Sequence, residues 1–195
     1  MSDKLLSTRG LNTLMFSDPY AKLCFVAHLV SQFGKVTYVD LDTTFTAYFN
    51  AGLVRADSID IYLPSEGRLV PMVKEMLESM TASSLVIFDS VNSFYNLFSG
   101  RERTGGLNHL LSVLLMLLVR RGMDESIPVL ATSMLRYRNY GGWVQSPASR
   151  RLLQRKSAAR LSVERIENNL ALTIVDHESI PAGTQVIYRN CLITV

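Results

Sequence analysis

Cysteine is almost missing from this chain: of 195 residues only Cys24 and Cys191 carry a thiol. They stand far apart within apolar runs, so they read as buried free thiols of a reducing compartment, not as a disulfide framework or metal pair. Long apolar runs are missing too. The longest, Leu110 to Val119, is interrupted by Ser112 and closed by Arg120 and Arg121, short of the roughly 18–20 residues a bilayer span needs. The first ten residues have no apolar signal core, which argues against secretion. No repeat, low-complexity tract or Gly/Pro/Ser-rich linker divides the sequence. One domain spanning 1–195 is therefore expected, soluble and cytoplasmic, with no membrane partner. Net charge is scarce as well: twenty Lys/Arg against seventeen Asp/Glu leave +3, too little by itself to mark a nucleic-acid binder.

What is present is an alternation of strand-like and helix-like patterns. Asn12–Phe16 reads as a strand, Pro19–Phe33 as a helix with proline in its first turn, and Lys35–Asp40 as a second, β-branched strand. Thr44–Leu53 reads as a short helix and Ser58–Leu63 as a strand. Glu66–Met80 forms an amphipathic helix with Leu69, Val70, Val73, Met76, Leu77 and Met80 on one stripe. Ser84–Phe88 and Ile127–Thr132 are continuous apolar runs that suit strands buried on both faces, and Gly106–Arg121 is a leucine-rich helix between them. After Pro147 the pattern changes to consecutive strands, Arg160–Ile166, Leu170–Val175 and Gln185–Val195, with turns at Glu167–Asn169 and Pro181–Gly183. Alternation first and strands last predict an α/β fold: a mostly parallel central sheet flanked by helices and extended by antiparallel C-terminal strands.

Ligands of open α/β sheets collect beyond the carboxyl ends of the strands, and two segments place acids there: Tyr38-Val39-Asp40-Leu41-Asp42-Thr43-Thr44-Phe45 and Leu85-Val86-Ile87-Phe88-Asp89-Ser90. An acid emerging from a buried strand can hold Mg²⁺ or orient a water; Asp40 and Asp89 can equally cap turns or helix starts.

These two segments resemble those of the RecA/RadA-type recombinases, the first matching the family's Tyr-Ile-Asp-Thr-Glu-Gly-Thr-Phe and the second its Walker B strand. Phe98-Ser99-Gly100-Arg101, then a leucine-rich helix, and later Leu172-Thr173-Ile174-Val175-Asp176-His177 with Ile180-Pro181-Ala182-Gly183, are similar to family segments in the same order. The resemblance implies a single RecA-like core without the N-terminal helix–hairpin–helix domain or the Phe-x-x-Ala polymerisation element. It also locates the phosphate loop. Where the family has Gly-x-x-x-x-Gly-Lys-[Ser/Thr], this chain has Phe16-Ser17-Asp18-Pro19-Tyr20-Ala21-Lys22-Leu23, and only the lysine matches. Glycines let such a loop aim successive N–H groups at phosphate; here Pro19 removes one N–H, Asp18 adds negative charge and Leu23 offers metal no hydroxyl. Asp42 stands at the water-activating glutamate, one methylene short, and a displacement of about 1 Å can cost on the order of 100-fold. Met134, within Thr132-Ser133-Met134-Leu135, stands where the family has a nucleotide-sensing Gln. No catalytic residue or cofactor is expected: Lys22, Asp42 and Asp89 are vestigial candidates, Lys22 reads as a surface lysine on a helix, and ATP with Mg²⁺ beside Lys22 is the alternative. Whether Tyr20 fills the altered loop is open.

The slight positive charge is concentrated. Arg136, Arg138, Arg150, Arg151, Arg155, Lys156 and Arg160 fall in 25 residues without an acid, leaving a net of −4 elsewhere. The block opens Leu135-Arg136-Tyr137-Arg138-Asn139-Tyr140-Gly141-Gly142-Trp143, interleaving cations with aromatics, at the position of the resembled family's DNA-binding loop. Arg136, Tyr137, Arg138, Tyr140, Trp143, Arg150, Arg151, Arg155 and Lys156 are candidate nucleic-acid contacts, with Arg101 and Arg103 a smaller second group; packing on a partner subunit is the competing reading. The expected function is a non-catalytic RadA-like paralogue, a pseudo-ATPase that binds single- or double-stranded DNA and assists recombination or repair. A RadA-type recombinase, another paralogue or a second copy of itself is its expected partner. The alternatives are a structural subunit of a ring or heteromer, as in the RNA-binding Elongator assembly, and a weak DNA-stimulated ATPase.

Overall fold

The computed structural model describes residues 5–65, 67–98, 104–140, 142–145, 153, 157–189 and 193. In chain order the elements are β1 (Leu11–Phe16), α1 (Pro19–Val30), β2 (Lys35–Asp40), α2 (Thr44–Asn50), β3 (Ser58–Tyr62), α3 (Leu69–Ser79), β4 (Leu85–Asp89), α4 (Val91–Phe98), α5 (Thr104–Glu125), β5 (Val129–Arg138), β6 (Gly142–Gln145), β7 (Ser157–Ile166), β8 (Asn169–His177) and β9 (Gln185–Arg189). The strands form one sheet in the order β3-β2-β4-β5-β1-β7-β8-β9, with β6 hairpinned onto β5. Pairing is parallel from β3 through β7 and antiparallel from β7 to β9. The mostly parallel sheet with an antiparallel C-terminal extension is the architecture the sequence predicts.

The continuous apolar runs have their expected cause, since the central strands are covered on both faces. In β4, Leu85 and Ile87 pack with α1 and with Phe45 of α2. Val86 and Phe88 point the other way, against Met76 of α3, Phe94 of α4 and the leucines of α5. That alternation is the two-residue period of a strand serving two hydrophobic layers. Cys24 is a buried free thiol in the first layer; Cys191 lies outside the described residues.

The structure departs from the expected pattern in four places. Val70 does not belong to the buried stripe of α3: it is 76% exposed, because the helix starts only at Leu69 and its first turn overhangs the core that Met76 enters. Two elements carry too weak a pattern to be expected from the sequence. Helix α4 is only eight residues long and packs through Val91 and Phe94, too few positions for a clear period. Strand β6 has four residues and no buried face. β5 also runs past Thr132 to Arg138, its last five residues leaving the buried layer.

The end of α5 turns sharply back into β5. Ser126 adopts a positive φ of 58°, and Ile127 donates its N–H to the Gly122 carbonyl at 2.7 Å. A Cβ on Gly122 would stand 2.6 Å from the Ile127 carbonyl oxygen and 2.7 Å from Val129 Cγ2. Helix propensity alone would make Gly122→Ala stabilising by about 1 kcal/mol. The backbone clash dominates, so this variant should instead lose about 1–3 kcal/mol in urea denaturation; a gain would contradict the packing.

Candidate functional site

Helix α1 is apolar along nearly its whole length, so Lys22, set between Ala21 and the run Leu23–Val26, has no route to solvent. It is only 2% exposed, and its Nζ donates to Asp89 Oδ2 at 2.6 Å. The expectation of a surface lysine is therefore overturned: the apolar neighbours that form the helix also carry its one cation into the core. Asp89, at the end of β4, is wholly buried. Its Oδ2 also accepts the Tyr38 hydroxyl from β2, and its Oδ1 accepts Thr132 Oγ1 from β5, each at 2.5 Å. One helix and two flanking strands thus converge on one carboxylate, and full donor occupancy offsets the cost of burying charge. Burial works against the Lys22 charge, but the Asp89 and Asp42 carboxylates outweigh it and hold the ammonium above the ordinary lysine range. Burial and the neighbouring Asp89 push the Tyr38 hydroxyl well above its usual range, so it remains a donor.

Two more carboxylates flank the pair. Asp40 sits beside Asp89 in the β2–β4 register. Its Oδ2 accepts the Thr46 N–H at 2.8 Å and Thr46 Oγ1 at 2.6 Å, so it holds the first turn of α2, while Oδ1 is buried without a hydrogen-bond partner among the described residues. Burial pushes the Asp40 carboxyl up, Asp89 and Asp42 add to that, and the bonds from Thr46 counter it only in part. Asp42 is more exposed. Burial opposes its ionisation, but the Lys22 ammonium, 3.8 Å away, and the Thr44 N–H prevail and hold it below the usual carboxylate range. The capping role open to both Asp40 and Asp89 thus falls to Asp40, while Asp89 takes the ion pair.

The segment before Lys22 is an ordinary capped helix start. Asp18 is the N-cap, its carboxylate accepts the Tyr20 N–H at 2.9 Å, and Pro19 follows it. Tyr20 does not fill the loop: its hydroxyl donates to the Ile193 carbonyl, tying the C-terminal segment to α1, and Arg165 reaches both its ring and the Asp18 carboxylate.

The end of β5 projects beyond this edge as a hairpin with β6. Tyr137 pairs with Trp143, and Arg136 and Arg138 pair with Val144 and Gly142. Strand alternation puts the two rings on one face and the two arginines on the other, so the interleaving read from the sequence resolves into two separate surfaces. Tyr137 is 63% and Trp143 54% exposed, their rings meeting edge to face at 5.6 Å; Arg136, Arg138 and Tyr140 are exposed too. Asn92 of α4, two residues after Ser90, accepts the Met134 N–H at 2.7 Å and fixes the hairpin's root. Arg101, Arg103, Arg150, Arg151, Arg155 and Lys156 lie outside the described residues. Tyr38, Thr132, Thr46 and Asn92 were not read as site residues. Tyr38 and Thr132 stand inside strands read as buried, where a hydroxyl implies a buried polar partner; Thr46 and Asn92 give no such signal.

The mostly parallel sheet carries carboxylates at the ends of adjacent strands, a lysine in the first helix and a hairpin beyond the fifth strand, and its fold is RecA-like. Among solved structures, the crystal structure of the RadB recombinase has this fold, with a TM-score of 0.69 and 15% sequence identity over 94% of this chain and 88% of that chain. No family model and no curated protein sequence matches the chain. Among the described residues, no helix is long and apolar enough to cross a membrane.

The two strand-end acids should respond oppositely to neutralisation. Asp89→Asn leaves Lys22 buried beside a neutral partner and should cost about 3–5 kcal/mol. Asp40, whose pKa is raised, penalises the fold only above the unfolded value of about 3.9, so Asp40→Asn should stabilise the fold at pH 7 and not below about pH 4. The Lys22 contribution, from a raised pKa, should persist to pH ~10 and fail as pH climbs further. Urea titrations across pH read all three; equal effects of the two substitutions at pH 7 would contradict the assignment.

Proposed function

We propose that this chain is a non-catalytic RecA/RadA-like paralogue, a single core that binds DNA through the β5–β6 hairpin and assists homologous recombination or repair. The observation that carries the reading is the two-sided hairpin. Tyr137 and Trp143 offer π faces on which unpaired bases stack for about 1–3 kcal/mol each, while Arg136 and Arg138 neutralise phosphates from the opposite face. Tyr140 at the tip, the basic Arg150, Arg151, Arg155 and Lys156 that follow, and Arg101 and Arg103 earlier in the chain extend the proposed contact. The fold likeness to a recombinase supports recombination as the setting, with a RadA-type recombinase, another paralogue or a second copy of this chain as protein partner.

A nucleotide with its magnesium, as the fold implies, does not fit this strand-end site while Lys22 is paired with Asp89. The Asp18 carboxylate already takes the first-turn N–H of Tyr20 that a phosphate would use, and Pro19 has none to offer. Leu23 is buried and carries no hydroxyl for a metal, and Lys22 is committed to Asp89. These features support a spent phosphate loop in which Lys22, Asp42 and Asp89 have no catalytic role, and no reaction step is assigned to them.

Trp143 is the chain's one tryptophan, so its emission reports on the hairpin directly. Single-stranded DNA at low salt should quench it. Tyr137→Ala with Trp143→Ala should weaken binding at least about fivefold, as the loss of one stacked base does. Arg136→Ala with Arg138→Ala should flatten the salt dependence by about 1–2 units of log–log slope. Gel shifts with single-stranded DNA, duplex DNA and RNA rank the ligands. Undetectable binding at low salt, or unchanged binding in both double variants, would overturn the assignment; preference for RNA by a closed ring would favour a ring subunit instead.

A further inference from the structure

We infer that Lys22 is a tethered cation: its ammonium occupies a divalent-cation position formed by Asp40, Asp42 and Asp89, so that the fold holds these carboxylates together without a metal. One oxygen from each residue lies within 4.8 Å of the others. That spacing suits a single hard cation, since oxygens on opposite sides of Mg²⁺, Mn²⁺ or Ca²⁺ stand roughly 4–5 Å apart. The donor set is all carboxylate, which selects those ions over the metals preferred by imidazole or thiolate. Lys22 Nζ is already in the cluster, 2.6 Å from Asp89 and 3.8 Å from Asp42.

A lysine is an incomplete substitute, and the structure records the deficit. It brings one positive charge to three carboxylates, and its three N–H donors do not reach every oxygen. Asp40 Oδ1, in a side chain 1% exposed, is left without a partner among the described residues. An ion bound by all three groups would bring them a second positive charge, which the single ammonium held on Asp89 does not. The arrangement is stable because the cation cannot dissociate: Lys22 is fixed in α1, itself packed on the sheet through Leu23, Phe25 and Val26. Removing the ammonium while keeping the hydrophobic stem should therefore turn a metal-independent protein into a metal-dependent one.

This inference rests on the reading of the strand-end site as closed to nucleotide, and not on DNA binding by the hairpin. The test compares melting temperatures of the wild type, Lys22→Met and the double variant Lys22→Met/Asp89→Asn, each in EDTA and in millimolar Mn²⁺, with Mn²⁺ binding followed by electron paramagnetic resonance. The wild type should bind no Mn²⁺ and melt at the same temperature in both solutions. Lys22→Met should melt on the order of 10 °C lower in EDTA and recover about 3–6 °C when Mn²⁺ reaches tenfold its dissociation constant. The double variant, with neither ammonium nor Asp89 charge, should regain most of the loss in EDTA and bind Mn²⁺ at least tenfold more weakly than Lys22→Met. Mn²⁺ bound by the wild type, or Lys22→Met neither binding Mn²⁺ nor recovering, overturns the inference. Should Lys22→Met not fold in EDTA, folding on addition of Mn²⁺ supports it and failure to do so overturns it. Stabilisation of the wild type by ATP with Mg²⁺ would instead overturn the closed-site reading on which it rests.

Discussion

The interaction on which the strand-end architecture depends is the buried pair between Lys22 and Asp89. Two opposite charges at 2.6 Å, both shielded from water, are costly to bury and costlier to separate, since removing one partner of such a pair typically loses about 3–5 kcal/mol. What makes it tolerable is the completeness of its surroundings. Tyr38 and Thr132 donate to the two oxygens of Asp89, so α1, β2, β4 and β5 are tied at one point.

That point lies close to the surface the protein presents. Asp89 ends β4, α4 begins two residues later at Val91, and Asn92 in its first turn accepts the N–H of Met134, where β5 leaves the core. A short chain of covalent and hydrogen-bonded steps thus leads from the buried pair to the root of the hairpin. The rigid edge sets where the hairpin emerges, and β6 sets which way its side chains face. The aromatic pair and the arginines are consequently a scaffolded surface with two chemically different sides, unlike a flexible basic tail.

How much of this was legible in the sequence depended on the number of residues that carried each signal. β2 and β4 were readable because four consecutive apolar or β-branched residues, each run closed by an acid, leave few alternatives, and α5 because its leucines extend over several turns. α4 and β6 were not, since two buried anchors and a four-residue strand without a buried face fall below the length at which a period can be seen. The acids at the ends of β2 and β4 were found by position, yet their roles were not separable, because capping and ion pairing place the same side chain at a strand end. The burial of Lys22 has a clue in the sequence. A lone cation inside Ala21–Val26 is surrounded by residues that must be buried, and a buried lysine needs an acid. The pairing with Asp89 spans 67 residues, a distance across which local pattern carries no information. The hairpin's composition was visible as well, but its division into two faces needed the register of Tyr137 on Trp143.

An internal ion pair between Lys22 and Asp89 organises this edge of the sheet, and we propose that it stands in place of a bound nucleotide. Competitive amine labelling read by mass spectrometry tests it directly, because the chain's other lysines serve as internal references. The account predicts that Lys22 stays unreactive in the native protein while Lys74 on α3 labels readily, and that adding ATP and Mg²⁺ changes neither. Labelling of Lys22 at a rate comparable to Lys74, with protection appearing only when nucleotide and magnesium are supplied, would contradict it.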